Sequence, residues 1–101
     1  MDGLTVGRIV HYVLTKDDVR LINRRRHQTE KFDQPKGVQV HVGNDVTENE
    51  HVAAIVTRVW GAEGIVNLKC FLDGSDVYWA TSIGFNDAEK PARSWHWTDA
   101  A

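Results

Sequence analysis

The chain has 101 residues, 42% of them hydrophobic and 26% charged, with a net charge of −2. That is enough material for one domain and not for two. No apolar run approaches the ~18 residues that a bilayer-spanning helix needs, and the single cysteine, Cys70, excludes an internal disulfide and any multi-cysteine metal site. The opening "MDGLTVGRIV" lacks a basic stretch followed by a long apolar run, so no signal peptide is expected and cytosolic expression follows. Residues 1–40 hold eight Lys and Arg against five Asp and Glu, whereas residues 41–101 hold four against nine. This balance argues against coating the phosphate backbone of DNA or RNA, and it leaves room for a small anionic ligand near the basic end.

In chain order, "TVGRIVHYVL" (Thr5 to Leu14) has the Val, Ile and Tyr content of a strand, with Gly7 marking a bulge or a close backbone approach. The period then changes. Thr15 is a good N-cap, Asp18 stands three residues on as in a capping box, and Leu14 with Val19 has the spacing of a hydrophobic staple. Asp17 and Asp18 suit the positive end of a helix dipole, and Arg24, Arg25 and Arg26 suit the negative end. One short helix is expected over Lys16 to His27. Thr29 to Gly37 reads as a loop, and "VQVHVGND" as a short strand running into a turn.

"VAAIVTRVW" (Val52 to Trp60) is the clearest strand. "IVNLKCFL", "VYWATSIGF" and "SWHWT" follow as further strands, separated by the turns "GAEG" and "DGSD" and the loop "NDAEKPAR". The expected fold is mainly β: a small SH3-like antiparallel barrel with one short helix after the first strand, in a single domain. In "AAIVTRVW" both alternating sets are largely apolar, whereas an open antiparallel sheet usually has one polar face. The second face therefore needs cover from the helix, another sheet or another subunit, which makes a homo-oligomer a reasonable expectation.

Residues with chemical potential fall into few groups. Cys70 shares a strand face with Val66, Leu68 and Leu72 and reads as core. The five histidines (His11, His27, His41, His51, His96) have no chelating local spacing, so no metal site is expected unless one is assembled through space. Asp73 and Asp76 belong to a turn and are expected to serve its backbone geometry. Each arginine of the 24–26 run is either a solvated helix end or a fork for phosphate. The four tryptophans all lie after residue 59. On a strand, Trp95 and Trp97 share one face and His96 takes the other. These rings are either a latch on the chain end or a platform for nucleobases. Thr81 and Ser82 supply hydroxyls. Asn67 places an amide in an apolar strand, facing away from Leu68 and Cys70 alongside Lys69 and Phe71, where it needs partners.

"VGRIVHYV", "HVAAIVTRVW", "VNLKCFLDG", "WATSI" and "SWHW", in that order, resemble a family of small tailed-phage proteins that reads G-x-x-V-H-Y, A-I-V-x-x-V, V-N-L-x-x-F-x-D-G, T-S and a terminal W-x-W. Within that character the chain resembles the anti-CBASS nucleotide sponges, which bind the cyclic oligonucleotide signals of bacterial immunity without cleaving them. The resemblance implies a non-enzymatic, homo-oligomeric phage protein acting in the cytoplasm of the infected bacterial host, with no cofactor, no membrane and no DNA or RNA partner. It implies a ligand role for His11, Tyr12, Asn67, Thr81, Ser82, Trp95, His96 and Trp97. On this reading Tyr12 and Trp95 or Trp97 stack on bases, Asn67 reads a base edge, and Thr81 or Ser82 with Arg25 from a neighbouring subunit meets phosphate. Two departures bear on ligand preference: Thr98 follows Trp97 where the family often has proline, and "TENEH" replaces a stretch that often contains Gly-Asp. The alternatives are an SH3-like module that recognises protein or nucleic acid, and an enzyme that degrades the signal.

Overall fold

A computed structural model describes residues 1–31 and 43–98 of the chain, with side chains outside 27–31. Five strands and one helix follow in the order β1 (Ile9–Val13), α1 (Lys16–Lys31), β2 (His51–Trp60), β3 (Ile65–Phe71), β4 (Val77–Phe85) and β5 (Ser94–Trp97). The strands close into a small SH3-like barrel in the spatial order β1-β2-β3-β4-β5, with β5 returning to β1. Four pairings are antiparallel, and the fifth, β4 with β5, is parallel over Gly84↔Ser94 and Phe85↔Trp95. The strand expected around "VQVHV" lies outside the described residues. Gly43, just after it, bridges to Gly74, and a Cβ on Gly43 would meet the Asp73 carbonyl and the Gly74 Cα at 2.7 Å.

The first strand begins later than its composition implies. Residues 6 and 7 form a turn, with Gly7 at φ 95° and its N–H donating to the Val56 carbonyl. The helix begins at Lys16 as its cap dictates, then runs four residues past the expected His27. Asp18 N–H donates to Thr15 Oγ1 at 3.0 Å, and Thr15 N–H donates to Asp18 Oδ2 at 2.9 Å, which completes the capping box.

Alternate residues of each strand fill the barrel: Val10 and Tyr12; Val52, Ala54 and Val56; Val66, Leu68 and Cys70; Ala80 and Ile83; Trp95. Ile22 of α1 joins Leu14, Val46 and Leu72 in the same core. Two irregularities interrupt the alternation. Thr57 is an extra residue in β2, between Val56↔Leu68 and Arg58↔Asn67. In β4, Thr81 and Ser82 together oppose Asn67, between Leu68↔Ala80 and Val66↔Ile83, and Ser82 takes φ 55°.

The helix does not cover the outer face of the sheet. Ile9, Phe71, Val77 and Trp79 remain exposed there, Trp79 to 64%. The register places them side by side: Ile9 against Ile55, Ile55 against Lys69, Lys69 against Trp79, and Phe71 against Val77.

Candidate functional site

Several of the expected site residues prove to be internal supports. Tyr12 is fully buried and its hydroxyl donates to Asp18 Oδ2 at 2.5 Å, so its ring has no face to offer a base. Tyr78 donates to the other Asp18 oxygen at 2.6 Å. Burial alone would raise the Asp18 pKa, but hydrogen bonds from Tyr12, Tyr78 and Thr15 outweigh it and hold the carboxyl below its ordinary value. Burial and the Asp18 carboxylate push both tyrosines well up, so they act as permanent donors.

Trp95 is also fully buried. Its Nε1–H donates to the Gly64 carbonyl at 2.7 Å, and its ring packs against Phe85 at 4.6 Å between centroids. It is the latch, not the platform. Asn67 corrects a second expectation. The irregularity in β4 turns the Ser82 N–H toward Asn67 Oδ1, which accepts it at 2.9 Å together with Trp60 Nε1–H at 2.9 Å. This oxygen is engaged within the fold, and the residue is buried rather than beside exposed Lys69 and Phe71. Trp60 is held in turn under Arg58, whose guanidinium lies 4.2 Å from the ring centroid.

Arg25 is tied down within the chain. It donates to Asp76 Oδ2 at 2.8 Å and to the Val77 carbonyl at 3.1 Å. Arg26 grips the same carboxylate from two nitrogens, at 2.7 and 3.1 Å, and also donates to the Asn44 carbonyl. Asp76 is therefore the buried anchor that fastens α1 to the β3–β4 turn, beyond the turn geometry expected of it. Burial opposes its charge, but Arg26 and then Arg25 outweigh that and lower its pKa to about 2. Cys70 is core, as expected, and burial followed by the Asp18 charge pushes its thiol up to about 12.

Thr81 and Ser82 are exposed on the irregular part of β4. His11 is half-buried and His96 is buried on the opposite side of β5 from Trp95. Trp97 is the remaining predicted residue and the one that meets an open space. It packs edge-on to Trp95 with centroids 4.9 Å apart, and the Arg8 guanidinium lies 5.1 Å from its ring centroid. Arg8, Phe85 and Trp97 line a cleft of about 530 Å³, with Met1, Asp2, Asp87 and Thr98 around them. Asp87 is partly engaged, since its Oδ1 accepts the Trp97 N–H at 3.2 Å. Arg8 and Phe85 escaped sequence reasoning. Arg8 sits in "VGRIV", where its relation to a tryptophan 89 positions on depends on β1 pairing with β5.

No protein-family model, curated protein or solved structure matches the chain. No helix among the described residues is long and apolar enough to cross a membrane.

Proposed function

We propose that this protein is a phage sponge that binds a cyclic oligonucleotide immune signal, a cyclic dinucleotide above all, and sequesters it without cleavage in the cytoplasm of the infected bacterial host. The observation that carries this reading is the cleft at which the Arg8 guanidinium lies over the Trp97 ring. An aromatic ring stacks on a base, and an adjacent guanidinium donates to phosphate oxygens, so the pair matches the two chemistries of a nucleotide. The site thus moves from Tyr12, Asn67, Arg25 and Trp95, which support the fold, to Trp97 with Arg8 and Phe85.

The exposed outer face of β1–β4 supports the further reading that copies associate, because Phe71, Val77 and Trp79 leave apolar surface in water. A light-scattering mass of one chain would sink that part. The same face favours a second reading, an SH3-like module that docks a protein. Steep weakening with salt would instead point to a nucleic-acid backbone.

Calorimetric titration with a panel of cyclic di- and trinucleotides tests the main proposal. Saturable binding is expected, with intact nucleotide recovered after heat denaturation. Trp97→Ala should weaken it by about ten- to a hundredfold, the cost of one lost base stack. If no cyclic nucleotide produces heat or moves the tryptophan fluorescence, the sponge reading fails; recovered cleavage products would make the protein an enzyme.

A further inference from the structure

The Arg8–Trp97 cleft also holds two carboxylates. Asp2 and Asp87 line it together with Arg8, Phe85 and Trp97. Among the described residues, Arg8 forms no ion pair with either of them. The guanidinium is therefore not neutralised by the acids of its own cleft, and the carboxylates are not consumed in holding it. Set against the phosphates of an anionic ligand, they would repel it. They suit such a ligand only where it offers N–H donors, because an ionised carboxylate accepts and never donates.

Of the two, Asp87 has the fixed place. It stands two residues beyond β4, where the contact between β4 and β5 continues into the loop. Asn86 N–H donates to the Trp95 carbonyl at 3.0 Å, and Trp97 N–H donates to Asp87 Oδ1 at 3.2 Å. Lys90 Nζ donates to the Asp87 carbonyl at 2.6 Å. The carboxylate is thus fastened to the main chain of Trp97, the residue whose ring faces the cleft. Asp87 is half-buried, whereas Asp2 is exposed. Among the described residues Asp87 Oδ1 accepts this one bond and Oδ2 accepts none, so both oxygens keep acceptor capacity.

We propose that, within the nucleotide reading of this cleft, Asp87 makes it a site for guanine. Trp97 stacks on the base, Arg8 meets phosphate, and the Asp87 carboxylate accepts from the Watson–Crick edge. Guanine presents N1–H and N2–H side by side there, two donors for two carboxylate oxygens. Adenine sets N6–H beside the N1 lone pair, and cytosine sets N4–H beside the N3 lone pair. A carboxylate that accepts from either base also meets a lone pair that repels it. Uracil flanks its one N3–H with two carbonyl oxygens, which repel it twice. The preferred signal is then a cyclic dinucleotide that contains guanine.

The full chain is titrated by calorimetry with cyclic di-GMP, cyclic di-AMP and cyclic di-IMP, whose hypoxanthine keeps N1–H and lacks the amino group. Cyclic di-GMP should bind about ten- to a hundredfold more tightly than cyclic di-AMP, the discrimination of one bidentate pair, with cyclic di-IMP between them. Asp87→Asn keeps an oxygen for the Trp97 N–H and turns the other acceptor into a donor. It should bring cyclic di-GMP down to the affinity of cyclic di-AMP or below. Equal affinity of the unaltered chain for these two ligands overturns the guanine assignment and leaves the sponge reading standing. So does an unchanged preference in Asp87→Asn. Loss of all three ligands by that variant also overturns it, by making Asp87 a support of Trp97 that reads no base. If the unaltered chain binds no cyclic dinucleotide, both readings fall.

Discussion

At the helix end of the barrel, two buried carboxylates are surrounded by donors. Asp18 accepts from Tyr12, Tyr78 and the Thr15 amide, and Asp76 accepts from Arg25 and Arg26. At the β1–β5 seam, His96 is equally hidden from water and its Nδ1 has no hydrogen-bond partner among the described residues. The difference separates two uses of a buried polar group. Asp18 and Asp76 complete their hydrogen bonds on folding, so they serve the fold and have little capacity left for a ligand. His96 retains capacity at Nδ1, as Arg25 does at its buried Nε, so among the described residues the hydrogen bonding of these two side chains is incomplete.

Breaking the carboxylate end should cost most. Asp76→Ala leaves the buried Arg26 without its carboxylate, and urea denaturation should show a loss of about 3–5 kcal/mol. A cost near zero would mean that the pair does not anchor α1. Acid should reach the same contact more gently. The Asp76 pKa falls from 3.8 to about 2 on folding, so its contribution is complete above pH 3.8 and disappears as pH falls through 2. That window carries about 2 kcal/mol. The pH dependence of chemical denaturation checks it, with Asp76→Ala flattening the slope there.

Tyr12→Phe removes one of several donors to Asp18, and a loss of about 1.5 kcal/mol is expected in the same denaturation assay. At the β1–β5 seam, His51→Ala should change stability by no more than about 0.5 kcal/mol. A large loss there would make His51 another structural support and erase the contrast.

Local chemistry was legible in the sequence. The Val77–Phe85 strand has the expected bounds, Cys70 is core, and the Thr15–Asp18 capping box forms as its spacing requires. Contacts across the chain were not. Asp18 is both a helix cap and the acceptor of a tyrosine 60 residues away, and only the first role leaves a local trace. Asp76 resembled a turn residue because its arginine partners lie 50 and 51 residues earlier. Alternation put Asn67 with the outward residues, yet the irregularities flanking it shift the count and bury it. The meeting of His11 and His51 with His96 depends on β1 pairing with β2 on one side and β5 on the other, a register no single strand discloses. Trp95 and Trp97 do share a side of β5, but their depths differ: one seals the core, and the other reaches the cleft.

The short parallel contact between β4 and β5 has a consequence for how this molecule meets others. By completing the ring of five pairings, it leaves no described strand with an entirely free edge. The contact engages only Gly84 and Phe85 of β4, whereas β3 pairs with β4 from Val77 to Ile83, so the seam is closed at one end of β4 alone. Strand addition at this seam is therefore confined to the stretch of β4 before Gly84. A strand added there would lie beside the exposed Trp79 ring, so main chain and side chain would act together in partner choice.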